Sequence, residues 1–321
     1  MTAESPRPLG PRLRLGEHEV RVGTCSWTDP TLVRDTGWYP RTSMSAADRL
    51  GFYAEHFPLV EADSTYYRPP SRDLTAGWAE RSPARFEFDV KAYSLFTHHP
   101  TKPETLWPDV RACIRPEFAG KPNAYVEHLE PAAVAEAWAR FADGLQPLVD
   151  AGKLGTVLFQ FPEWFTPKRA NREELARLSS HLPGIRVCVE FRSPRWLADD
   201  DRERTLEVLR ANRLALVVVD APPVSGLATV VAATRDDVAV VRMHGRADAT
   251  WKQRGTTAAE RFKYLYRRDE LEPWVDNVAA LARDAERVHV LMNNCYRDYG
   301  VHNAQDMIDL LVEHGAEPAG A

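Results

Sequence analysis

The 321-residue sequence predicts one α/β domain, a (β/α)8 barrel of the TIM type. Three observations carry that expectation. Eight short apolar, β-branched runs recur along the chain, amphipathic helical stripes separate them, and several runs end abruptly in charged, amide or imidazole side chains. Strands buried on both faces read as continuous apolar runs without clean alternation, as in a parallel sheet covered by helices. Reactive residues gathered at carboxyl ends put the site of such a sheet at that end.

The strand candidates are, in order, 20–24, 59–64, 86–91, 155–160, 186–191, 214–219, 238–244 and 288–293. Between them run stripes at spacings of three and four, which put each set on one helix face against the sheet. They are Leu50, Tyr53, Ala54 and Phe57; Val134, Trp138, Phe141, Leu145 and Leu148; Leu175, Leu178 and Leu182; Trp274, Val278 and Leu281; and Met307, Ile308 and Leu311. Eight right-handed βαβ units close a barrel. An open doubly wound sheet is the competitor, but Gly23-Thr24-Cys25-Ser26-Trp27 lacks the glycine spacing of a dinucleotide loop. A barrel takes about 250 residues, so this chain accommodates one with insertions.

The barrel is expected over residues 19–314, between flexible tails at 1–18 and 315–321. Connection 221–237, between strands six and seven, holds Pro222, Pro223 and Gly226 and is too broken for a full helix. Segment 97–131, after strand three, scatters six prolines, and loops of that length usually have a function or are disordered. Its Trp107, Phe118 and Tyr125 make it the expected lid over the barrel mouth. A further excursion, 247–268, carries Trp251, Lys252, Tyr264 and Tyr266.

A formal charge of −5 and a pI near 6.1 leave no general basic surface for nucleic acid. No apolar stretch approaches the roughly 20 residues that span a bilayer, and the start lacks a signal-peptide core. A cytoplasmic setting is the default expectation. The four cysteines form no CxxC pair. Cys188 lies within an apolar strand, whereas Cys25 and Cys295 follow the first and last strands and should be neighbours in a closed barrel.

Residues two apart on a strand share a face. Glu61 with Asp63, Asp89 with Lys91, Glu190 with Arg192, and Arg242 with His244 and Arg246 therefore point together, and Gln160, Asn293 and Asn294 close the ring. The bland alternative is a satisfied salt-bridge network plugging the barrel. Lys91, Arg192, Arg242 and Arg246 at one mouth argue for an anionic small-molecule ligand, since guanidinium forks suit phosphate and carboxylate. Glu61, Asp63, Glu190 and His244 are the candidate acids and bases. No cofactor motif is evident; a divalent metal on the acids and His244 is a weaker alternative, because no HxxxH or HxH pair exists. Among the aromatic residues near strand ends, Trp27 and Tyr66 are the expected ligand contacts.

Taken together these residues resemble the YecE-like family, domain of unknown function 72. The resemblance rests on Gly23-Thr24-Cys25-Ser26-Trp27, 53–57, Val60-Glu61 with Ser64-Thr65-Tyr66-Tyr67, Lys91 with Thr97-His98, 155–162, Val189-Glu190-Phe191-Arg192 with Trp196, 241–246, and Asn293-Asn294. It covers about 20–311 and implies a TIM barrel without implying an activity. Asp63 stands where the family usually has Asn, Cys25-Ser26 replaces Ser-Gly, and 97–131 is longer than the family norm. The barrel more loosely resembles those of endonuclease IV and xylose isomerase, an analogy of fold alone. Three functions follow as expectations: a hydrolase or isomerase acting on an anionic, phosphorylated or sugar-like ligand; a non-catalytic metabolite-binding protein; and, not favoured, a nucleic-acid phosphodiesterase.

Overall fold

The computed structural model describes residues 9–251, 253 and 258–319, so Lys252 and the first eight residues of the expected tail lie outside the described residues. Ten strands form one sheet: β1 (Leu13–Leu15), β2 (His18–Cys25), β3 (Leu59–Ala62), β4 (Glu87–Lys91), β5 (Leu154–Phe161), β6 (Val187–Phe191), β7 (Leu214–Asp220), β8 (Ala239–Met243), β9 (Arg287–Met292) and β10 (Glu317–Pro318). Strands β2 to β9 are parallel, each bonded to the next, and β2 also pairs with β9 from Glu19↔Arg287 to Thr24↔Met292. That last pairing closes an eight-stranded barrel. All eight sequence candidates are its staves.

The helical stripes fall on helices Ala46–His56, Pro131–Asp150, Arg169–His181, Arg268–Asp284 and Tyr299–Glu313. Their apolar faces bury Leu50, Tyr53, Phe141, Leu145, Leu175, Leu178, Val278 and Met307 against the outer wall of the barrel. Burying each such side chain contributes about 1.5–3 kcal/mol. Two further helices, Arg72–Arg81 and Asp199–Ala211, complete the layer; their charged sequences bury few residues and hide the periodicity. The 221–237 connection has one 3-10 turn, Pro223–Ser225, and no α-helix. Thr234 ties it to β7, its hydroxyl accepting from Leu216 N and donating to Leu214 O, both at 2.7 Å.

Over the described residues, 9–18 and 315–319, the structure departs from the flexible tails expected there. Leu13–Leu15 turns back on β2 as an antiparallel ribbon, and Glu317–Pro318 pairs with it in turn. Leu13 and Ala316 are buried, and that burial fixes these two short strands.

Segment 97–131 also departs from expectation. Leu106, Val110, Ala124 and Leu129 are buried in the outer core. Arg140 of the long helix binds Asp109 at 2.5 Å, and Phe118 stacks on His128 within the segment at 4.1 Å. The segment therefore packs on the barrel's flank. Only its start, His98-His99, reaches toward the mouth. Its apolar side chains find the groove beside Pro131–Asp150 more readily than a charged rim.

Candidate functional site

Alternation along the staves aims Cys25, Glu61, Lys91, Gln160, Glu190, Arg192, Arg242, His244 and Asn293 into the barrel or its mouth. At the centre, Arg242 donates to Glu61 Oε1 at 2.7 Å and to Glu190 Oε2 at 2.5 Å, all three side chains being fully buried. Arg192 lies 2.7 Å from Glu190 Oε1 through Nε and 3.3 Å from Gln160 Oε1 through Nη2. His244 Nε2 approaches Glu190 Oε1 at 3.2 Å, while its Nδ1 lies 2.8 Å from Asn293 Nδ2. An Asn293 amide donating to Nδ1 puts the imidazole proton on Nε2, toward Glu190. Above this layer Lys91 Nζ stands 3.7 Å from Asp63 Oδ1 and 5.0 Å from the Tyr66 ring centre. Asp63 is more open than the two cations, its side chain 32% exposed, against 16% for Lys91 and 12% for Arg192.

One guanidinium carries a single charge and cannot neutralise two carboxylates, and the neighbours of each acid decide which stays ionised. Burial opposes the charge of Glu190, but Arg192, Arg242 and the hydrogen bond of His244 prevail and hold its carboxyl well below the usual range. Glu61 goes the other way: burial, reinforced by Asp63, outweighs Arg242 and lifts its carboxyl to about 8. Glu61 Oε2 and Asp63 Oδ1 are buried and receive no hydrogen bond from a protein donor, and the two carboxyl groups lie within hydrogen-bonding reach of each other. A proton held by Glu61 satisfies that contact. His244 is pushed down to about 3, first by burial and then by Arg192, so its ring is neutral. Its Nε2 faces Glu190 Oε1 at 3.2 Å.

Three expected site residues lie elsewhere. Trp27 is buried against Trp78 and Phe88, ring centres 5.3 and 6.1 Å away, and donates to Ala46 O. Ser26, with φ +79°, turns the chain outward before Trp27 can continue the inward alternation. Arg246 grips Asp220 at 2.8 and 3.0 Å, and Tyr266 donates to the same carboxylate. Here Gly245 breaks the alternation: its φ is +83°, and a Cβ would stand 2.6 Å from Tyr264 Cβ. Asn294 faces outward and donates to Tyr264 O and Asn303 Oδ1, both at 2.8 Å.

A second charged cluster fills the barrel floor. There His289 is fully buried, 3.1 Å from Glu87 and 3.0 Å from Asp89, and Arg287 binds Glu87 at 2.5 Å. Burial opposes the imidazolium, but the two carboxylates lift His289 to about 9. Gly155 makes room, since a Cβ there would lie 2.4 Å from Asp89 Oδ1. The inward parity of Arg21, Glu87, Asp89 and His289 was the available signal.

Among the described residues, no cluster of three or more His, Cys, Asp and Glu side chains has the arrangement to hold a metal ion. The donor set disfavours one directly, because a cation between Glu61 and His244 would face Arg242. Cys25 and Cys295 do meet: Cys295 Sγ donates to Cys25 O at 2.8 Å. Burial raises both thiols well above their ordinary value, so neither is a ready nucleophile. No helix among the described residues is long and apolar enough to cross a membrane.

Residues 21–320 match the family described as "Protein of unknown function DUF72". The chain belongs to the DUF72 family. It is 30% identical over 297 residues to the UPF0759 protein YunF of Bacillus subtilis, covering 91% of this chain and 94% of that one. To UPF0759 protein YecE of Escherichia coli K12 it is 24% identical over 207 residues, 64% of this chain and 60% of YecE. The crystal structure of a DUF72 protein from Thermotoga maritima superposes with a TM-score of 0.71 at 29% identity, covering 91% and 99% of the two chains. One from Enterococcus faecalis gives 0.72 at 23% identity, covering 91% and 95%. The DUF72 fold is thus a TIM-type barrel, and the buried Arg242 ring stands at its carboxyl end.

Proposed function

We propose that this DUF72 protein is an enzyme of hydrolase or isomerase type that binds a small anionic, phosphorylated or sugar-like ligand at the barrel mouth. In this reading Lys91 and Arg192 hold the anion, and Glu61 exchanges a proton with the ligand through Asp63. One observation carries the reading: Glu61, buried beside Asp63 and lifted to about 8, stands at the barrel end where the cations Lys91 and Arg192 stay partly open. With Glu61 protonated, Lys91, Arg192 and Arg242 face Glu190 and Asp63, a formal excess of one cation that an anion would balance. A proton donor poised near neutral pH suits general acid–base catalysis, which contributes about 10²–10⁴-fold. Glu190, held ionised by the charges of Arg192 and Arg242, fixes the geometry of both guanidinium groups.

The same ring would also serve a non-catalytic receptor, and turnover separates the two. Purified protein is incubated with a panel of sugar phosphates and other phosphomonoesters and followed by phosphorus NMR. Conversion of one member, reduced about 100-fold or more in E61Q with KM nearly unchanged, is the expected outcome. Tight binding without conversion would favour the receptor, and full turnover in E61Q would remove Glu61 from the chemistry. Salt-dependent binding of short DNA instead would favour the phosphodiesterase alternative.

A further inference from the structure

Seven large apolar side chains among the described residues are exposed, and two of them are aromatic: Tyr67 at 65% and Trp164 at 62%. These are also the two most exposed of the seven, and both stand at the mouth. Tyr67 closes the turn Ser64–Tyr67 after β3, and Trp164 follows β5. Between them, from the loop after β4, comes His99. The rings form a continuous arc: Tyr67 to Tyr66 at 5.0 Å, Tyr66 to His99 at 5.3 Å, and His99 to Trp164 at 6.0 Å.

All three contacts are edge-to-face, with interplanar angles of 88°, 78° and 66°, so no ring of the arc is stacked on the next. Burial, then Lys91 and Arg192, push His99 down to about 4, and its ring is neutral. Lys91 lies against Tyr66 on the barrel side of this arc. Single exposed aromatics are ordinary on a protein surface. Two at opposite ends of one arc, with cations behind them, form a bipartite surface: aromatic outside, cationic inside.

We infer that the ligand of this site carries a ring as well as a phosphate, the ring lying against the exposed aromatic arc of Tyr67 and Trp164 while the phosphate reaches Lys91 and Arg192. The inference rests on the anionic-ligand reading above and narrows it to ring-bearing phosphomonoesters. The CH face of a sugar and the π face of a base meet an exposed indole by the same contact. Both sources share this chemistry, and direct comparison separates them.

The test is calorimetric binding of adenosine 5′-monophosphate, glucose 6-phosphate, glycerol phosphate and inorganic phosphate to the full chain. At least one ring phosphate is expected to bind about tenfold tighter than glycerol phosphate. Preference for the nucleotide or the hexose phosphate identifies the ring. W164A and Y67A should each lower the ratio of ring-phosphate to glycerol-phosphate affinity about tenfold, and W164F should retain most of it. Trp164 is exposed, so its truncation opens no core cavity. A ratio near one, or a ratio unchanged in W164A, overturns the ring assignment while phosphate binding keeps the anion reading intact. Failure of all four compounds to bind overturns both.

Discussion

Glu61 and Glu190 share one guanidinium, that of Arg242, at 2.7 and 2.5 Å, yet hold opposite protonation states at neutral pH. Glu190 has Arg192 as a second cation, whereas Glu61 has Asp63 as an anionic neighbour. Pairs of carboxyl groups driven apart in this way mark acid–base machinery.

The asymmetry predicts unequal substitutions. In E61Q the amide oxygen still accepts from Arg242 and its NH2 donates to Asp63, as the neutral carboxyl does. Stability at pH 7 should change by no more than about 1 kcal/mol. E190Q strips Arg192 and Arg242 of their common anion and should cost about 3–5 kcal/mol. Urea unfolding midpoints check this; equal losses would mean that Glu61 is ionised.

Asp63 stands where an Asn is usual in the resemblance drawn from the sequence, and the structure gives that departure a consequence. An Asn amide would donate to Glu61 and favour its ionised form. D63N should therefore lower the Glu61 carboxyl from about 8 toward the ordinary range. Carbon-13 NMR titration of the Glu side chains reads the shift, and an unmoved resonance would count against the shared proton.

Stability should peak near pH 6.5. His289 rises from 6.5 unfolded to about 9 folded, so its contribution is complete below 6.5 and disappears as pH climbs through 9. Glu61, ionised more easily unfolded than folded, also costs stability between 4.5 and 8 as pH rises. His244 falls from 6.5 to about 3 and His99 from 6.5 to about 4; together they outweigh Glu61, so acid destabilises the fold below 6.5. On the alkaline side H289N should remove a drop of roughly 3 kcal/mol, and denaturant melts at stepped pH would reveal it. A flat profile in the parent protein would refute the buried imidazolium.

Arg192 and Arg246 are both cations near the mouth, but only Arg192 faces its interior. R192A should weaken phosphate binding about tenfold or more, and R246A should leave it within about twofold. Equal losses would return Arg246 to the site.

The staves of the barrel were readable because fully buried parallel strands must be apolar throughout. The inward side chains on each stave were readable too, since alternation is a property of the extended backbone; Glu61, Lys91, Glu190, Arg192, Arg242 and His244 follow from it. That rule failed where the backbone left the extended region. Ser26 and Gly245, both at positive φ, sent Trp27 and Arg246 elsewhere.

The sequence by itself determined which elements form, the end of the barrel where polar groups collect, and which residues share a face, because these are consequences of local periodicity. Only the tertiary structure decided who pairs with whom: Arg242 across the barrel to two acids, His289 to Glu87 and Asp89, Arg246 to Asp220. It also decided protonation, leaving His244 neutral and Glu61 carrying its proton. Those outcomes depend on burial and on charges brought from strands far apart in the chain, and no local pattern records either.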